Sequence, residues 1–136
     1  FSYPENSHTE NYRQEVLDLV NAQRAKYGLT ALEMGDDDLT AAAQTRAEEI
    51  AVVNSHVRPD GSKCFTVLKD YGVTDTPTGE NAAWGSVSPE EVVNAWMNSE
   101  GHRANILNPE ARKMSVGYYY NSNSTWGHQW IQIFTK

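Results

Sequence analysis

Between Pro89 and Pro109, apolar anchors alternate with polar residues at helical spacing. Val92, Val93 and Trp96, with Met97 beside them, fall on one face. Ser88 can accept from a free backbone N–H, Pro89 suits the first helical position, and Glu91 completes a capping box. A helix is therefore predicted to start at Ser88. Gly101 either ends it or kinks it. Ile106 and Leu107 return to the apolar face before Pro109 stops the run. His102 and Arg103 lie between the two sets of anchors, so their positions are fixed by what flanks them.

The same spacing marks other helices. Tyr12, Val16, Leu19, Val20 and Gln23 predict a helix from about Glu10 to Tyr27, capped by Thr9 and stopped by Gly28. Residues 1–8 read as a loose lead-in, and 9–136 as a single domain. Leu39, Ala43, Ala47, Ile50 and Ala51 share one side of a second helix, Leu39 to Asn54, whose alanines suit close packing. Asp36, Asp37 and Asp38 precede it. They lack the glycine and final glutamate of a calcium loop and read as carboxylates at the positive helix end. Pro59-Asp60-Gly61 is a turn signal, which places His56 where a helix end meets a tight turn. Cys64 to Tyr71 predicts a short helix ending at Gly72, and Val73 to Thr78 a surface loop. In Gly79-Glu80-Asn81-Ala82-Ala83-Trp84-Gly85, small and apolar neighbours turn Glu80 inward.

The period then changes. Met114–Tyr120 and Gln129–Phe134 read as two strands of a hairpin, joined by the polar, turn-rich stretch from Asn121 to Gly127. In the second strand Gln129, Ile131 and Ile133 share one face, and His128, Trp130, Gln132 and Phe134 the other. Both faces carry apolar groups, so helices must cover the sheet on both sides.

Composition narrows the function classes. At 136 residues and 39% hydrophobic, the chain can build one real core. A net charge of −7 argues against a nucleic-acid-binding face and against an electrostatic anchor on anionic lipid. Cys64, the single cysteine, excludes an internal disulfide and reads as a small buried hydrophobe. No apolar run approaches a membrane span. The chain opens without Met on a polar stretch, which reads as a mature or trimmed start.

Four titratable groups stand at element ends beside glycines or turns: His56, Glu80, His102 and His128, with Glu100 two residues before His102. Imidazoles plus a carboxylate are the minimum for a zinc site or for acid–base work. There is no HExxH, CxxC or phosphate-cradling glycine loop, and no serine in a nucleophile elbow. Arg58 and Arg103 read as surface charges or as partners of Asp60 and Glu100. Tyr118, Tyr119, Tyr120, Trp126 and Trp130 could form a sugar- or sterol-binding face, and core packing accounts for them more simply. Asn123-Ser124-Thr125 fits a glycosylation acceptor, which matters only in a eukaryotic secretory pathway.

Taken in order, these motifs resemble the CAP superfamily of cysteine-rich secretory proteins, antigen 5 and pathogenesis-related proteins, in its bacterial form. The resemblance rests on Asn21-Ala22-Gln23-Arg24, Ser55-His56-Val57-Arg58-Pro59-Asp60-Gly61, Gly79-Glu80-Asn81 and Trp96-Met97-Asn98-Ser99. It continues through Gly101-His102-Arg103, Asn105-Ile106-Leu107, Val116-Gly117-Tyr118 and Trp130 to Phe134. It implies an α+β fold, a three-layer α/β/α sandwich with a central antiparallel sheet, and an extracellular or cell-surface location. It also implies a His/Glu cleft that in many members binds a divalent metal, often zinc. The carried-over metal ligands are His56, His102 and His128, the last displaced by one residue from the family position. Glu80, Asn81, Glu100 and Arg103 line the implied cleft. The expectation is a secreted monomer binding a small-molecule, lipid or cell-surface ligand. The alternative is a metal-assisted hydrolase of peptide, ester or cell-wall substrates, with His102 or His56 as base and Glu80 as acid or orienting group.

Overall fold

A computed structural model of the protein describes residues 5–136, with side chains from residue 10 onward. In chain order its elements are α1 (Glu5–Lys26), β1 (Glu33–Met34), α2 (Asp37–Val52), α3 (Thr66–Asp70) and β2 (Pro77–Trp84). They continue with α4 (Pro89–Met97), α5 (Glu100–Ile106), β3 (Lys113–Tyr120) and β4 (His128–Thr135). The sheet order is β1-β3-β4-β2. β4 runs antiparallel to both neighbours, and the two-residue β1 adds a parallel edge beside β3.

The alternation along β4 organises three layers. Trp130 and Phe134 join Met114 and Val116 in packing against α1, α4 and α5 through Val16, Val20, Trp96 and Ile106. Ile131 and Ile133 face the other way, with Ala82, toward Leu39, Ala43, Ala47 and Ile50 of α2 and Leu68 of α3. The protein is thus an α+β sandwich with helices on both sheet faces. The alanines of α2 let it lie unusually close. A Cβ at Gly117 would collide with the backbone carbonyl of Ala43, so β3 needs a glycine where the helix crosses it.

Several boundaries follow the predicted signals. Asp36 caps α2 by accepting from the Leu39 N–H at 2.9 Å, with Asp37 and Asp38 in the first turn. Ser88 caps α4 from the Glu91 N–H at 3.1 Å, with Pro89 behind it. Gly28 ends α1 at φ +71°, and the Leu29 N–H reaches back to the Arg24 carbonyl.

Other boundaries move. α1 begins at Glu5, ahead of the predicted Thr9 cap, and residues 1–4 of the lead-in lie outside the described residues. The break between α4 and α5 falls at Asn98 and Ser99, and Gly101 sits inside the first turn of α5. β2 takes the end of the predicted surface loop and the Gly79–Trp84 stretch. Its Pro77 and Gly79 hid the strand, because it pairs only with β4 and tolerates both residues at a register shift.

Candidate functional site

Alternation along β2 sends Glu80 toward α2 and Asn81 toward α5. Under α2, Glu80 meets Arg46, which is fully buried. The guanidinium grips the carboxylate twice, Nε to Oε2 at 2.9 Å and Nη2 to Oε1 at 3.1 Å. It also donates to Glu49 Oε1 at 2.9 Å and the Ser55 carbonyl at 3.1 Å. The last of these fixes the turn that carries His56. Arg58 braces the turn further, gripping Glu49 at 2.7 Å and Asp70 at 2.8 Å. These partners replace the predicted Asp60, which instead accepts from Ser62.

The turn delivers His56 Nδ1 to Glu80 Oε1 at 2.8 Å, leaving 55% of the imidazole exposed. Burial alone would raise the Glu80 pKa, but hydrogen bonds from His56 and Arg46 outweigh it and hold the carboxyl below its usual range. An ionised carboxylate only accepts, so His56 Nδ1 carries the proton and Nε2 faces out. The bond to Glu80 raises the His56 pKa against the effect of burial. Cys64 lies against the same carboxylate. Burial first, then the Glu80 charge, pushes its thiol up to about 11, so it is no thiolate at neutral pH.

The opposite wall is α5. Asn81 Nδ2 donates to the His102 carbonyl at 3.1 Å and to Gln132 Oε1 at 3.0 Å. Asn105 Nδ2 donates to Asn81 Oδ1 at 2.8 Å. A Cβ at Gly79 would run into the Asn105 amide, so this glycine permits the approach. From α1, the buried Arg24 Nη1 binds the carbonyls of Ile106 and Asn108 at 2.8 and 2.9 Å and satisfies the end of α5. His102 is half-buried on α5, within range of the His56 charge. Burial, followed by the His56 charge, lowers its pKa. One imidazole is thus biased toward the charged form and its neighbour toward the neutral form.

The structure therefore joins His56 directly to Glu80 and the His102 backbone carbonyl to the neighbouring Asn81. Glu100 and Arg103 are exposed on α5. His128 stands elsewhere, its Nδ1 bonded to the Tyr118 hydroxyl at 2.7 Å. Glu80 pairs with Ile133, so His128 lies roughly 17 Å further along β4 and on the opposite sheet face. Among the described residues, no three of His, Cys, Asp and Glu are grouped to hold a metal ion. With Cys64 protonated and Glu80 committed, the donor set comes down to two imidazoles.

Arg46 was not among the predicted site residues. Its signal lay in spacing: three residues after Ala43 and four before Ile50, it falls on the buried face of an alanine-rich helix. A cation there demands a carboxylate from the facing sheet.

The model of the cysteine-rich secretory protein family, CAP, matches residues 17–134. The chain belongs to the CAP family. Among curated CAP relatives, Bacillus subtilis YkwD is 42% identical over 122 residues, covering 88% of this chain and 47% of that protein. Tobacco pathogenesis-related protein 1C is 30% identical over 115 residues, covering 82% of this chain and 59% of that protein. The chain thus spans about half the length of these relatives. Among solved structures, an extracellular SCP-domain protein of Bacillus anthracis superposes with a TM-score of 0.85 at 25% identity, covering all of this chain and 44% of that one. An outer surface protein of Borrelia burgdorferi gives 0.73 at 25% identity over 90% of each chain. Among the described residues no helix is long and apolar enough to cross a membrane.

Proposed function

We propose that this CAP domain acts outside the cell or at its surface and holds a ligand or partner against the paired imidazoles of His56 and His102. The observation that carries the reading is the Arg46–Glu80–His56 linkage, in which two buried charged groups aim one exposed ring. Glu80 has no proton to give at neutral pH, so it orients His56 and does not act as an acid. An outward Nε2 donates to a carboxylate or carbonyl when protonated and offers a lone pair when neutral. His102 supplies a second, predominantly neutral ring within range of its charge. Two imidazoles fall one short of the three protein ligands of a catalytic zinc site, so a divalent cation would be held by His56 and His102 only with the bound ligand supplying a further donor, and would then polarise an oxygen of that ligand. The location draws on the extracellular and outer-surface descriptions of the structural neighbours.

The test follows His56 and His102 ring signals by NMR during titration with zinc, with small carboxylates and with surface-glycan fragments. Shifts at both rings, absent in His56→Ala, are expected. A zinc titration with equal, negligible heats in wild type and His56→Ala removes the metal clause. Turnover of peptide, ester or peptidoglycan substrates that disappears in His56→Ala would make the protein a hydrolase instead.

A further inference from the structure

The tyrosine and tryptophan cluster of the hairpin divides in two. Tyr118 and Trp130 are core residues, their ring centroids 4.5 Å apart. Trp126 and Tyr120 are not: they remain 55% and 47% exposed. Each ring has a glycine beside it: a Cβ added at Gly85 would stand 3.8 Å from the Trp126 ring, and one added at Gly127 would stand 3.4 Å from the Tyr120 ring. The close neighbour is backbone without a side chain, and about half of each residue stays open to solvent.

The loop under the rings is internally tied. The Asn121 N–H donates to the Gly127 carbonyl at 2.8 Å, and the Ser124 N–H to the Asn121 carbonyl at 2.9 Å. The Asn121 side chain accepts from the Asn123 N–H at 2.9 Å, and Ser124 Oγ from the Gly127 N–H at 3.1 Å. The loop backbone that carries Trp126 is therefore ordered before any ligand arrives, which lowers the ordering cost of binding. Around them Ser122, Asn123 and Thr125 expose uncommitted polar groups.

The hairpin itself is also uncharged, and the nearest charge acting on it is the Glu91 carboxylate of α4. From Met114 to Thr135 the sequence contains no Asp, Glu, Lys or Arg, in a chain of net charge −7. The adjoining β2–α4 turn adds exposed Val87 and no charge. His128 touches the Tyr120 ring at a centroid distance of 4.9 Å. Burial lowers its pKa, partly opposed by Glu91 of α4, so it is neutral at pH 7. An anionic polymer meets repulsion from the whole chain and no local cation. A membrane finds no basic residue to hold it. A second copy brings the same excess negative charge. A neutral sugar chain needs only what is present: flat π faces for its C–H faces, and amides and hydroxyls for its own hydroxyls.

We propose that Trp126 and Tyr120 form a stacking platform for a neutral polysaccharide, distinct from the His56–Glu80 cleft and independent of what that cleft binds.

Affinity electrophoresis on native gels tests this, with hydroxyethyl cellulose, mannan and dextran as neutral polymers and carboxymethyl cellulose and alginate as anionic ones. Retardation by at least one neutral polymer and by neither anionic one is expected. Trp126→Ala and Tyr120→Ala should each weaken the retained interaction about tenfold or more, as for a central aromatic contact. Trp126→Phe, which keeps a π face, should retain part of it, and unchanged circular dichroism confirms that each variant is folded. Mobility unaffected by every neutral polymer overturns the proposal, as does equal retardation of wild type and Trp126→Ala. Concentration-dependent association of the wild type that Trp126→Ala abolishes overturns it too, because the surface then serves a second copy.

Discussion

Replacing Arg46 with Met keeps an apolar stem in the space beneath α2 and removes the guanidinium. Four side-chain hydrogen bonds go with it: two to Glu80, one to Glu49 and one to the Ser55 carbonyl. Glu80 stays buried and loses its strongest counter-charge. Breaking a buried ion pair from one side costs about 3–5 kcal/mol, because the partner's desolvation is no longer offset. At this chain length that corresponds to a fall in Tm of roughly 10–20 °C. Urea unfolding at pH 7 measures the free-energy loss directly. The pH dependence supplies a second check. In the wild type the Glu80 pKa is depressed, so its stabilising contribution is present above the unfolded value and is lost as pH falls through the folded one. In Arg46→Met, burial is opposed by His56 alone and the Glu80 pKa rises. The gap between variant and wild type should therefore narrow toward pH 4. Arg46→Met/Glu80→Leu, which removes both charges, should be less destabilised than the sum of the single variants. A loss below about 1 kcal/mol for Arg46→Met, or strict additivity in the double variant, would show that the pair is not the buried anchor described above.

Three further outcomes can be checked. By NMR, His56 should titrate above the usual histidine value and return toward or below it in Glu80→Gln; its contribution to stability is complete below the unfolded pKa and fades as pH rises through the folded one. An unshifted His56 midpoint would mean that Glu80 does not hold the ring in solution. Cys64 should resist iodoacetamide at pH 8 in the native protein and react at the rate of a free thiol in denaturant, since its pKa of about 11 leaves little thiolate; equal rates in the two states contradict its placement. Gly117→Ala should cost about 1–3 kcal/mol or more, because α2 must lift from β3 to admit a methyl group. An unchanged urea midpoint would refute that close approach.

Much of the fold was legible because the pattern was local. Ser88-Pro89 announced α4, Asp36 announced α2, and the two-sided apolar alternation of β4 required helices on both sheet faces. β2 was not legible: its glycine and proline look like a loop until β4 is placed beside them. The surroundings of Glu80 were half legible. His56, Glu80 and His102 stood beside turns and glycines, where side chains are aimed. The fate of His128 depended on strand register, and one position in register reverses the face. Arg46 was missed because a lone arginine on a helix reads as surface. Only its phase relative to the alanines told otherwise, and only the facing carboxylate explained it.

β4 occupies the middle of the sheet, yet it is synthesised after every element it touches. Until it emerges from the ribosome, β2 has no strand beside it and Glu80 has no sheet position from which to meet Arg46. Both helical layers must wait with their apolar sides uncovered, and closing the sheet means joining β4 to β2 across the helices and strand that separate them in sequence. Such long closures are slow. The nascent protein therefore passes through a stage with two sticky faces and one missing divider, a period in which a chaperone would matter more than the final stability.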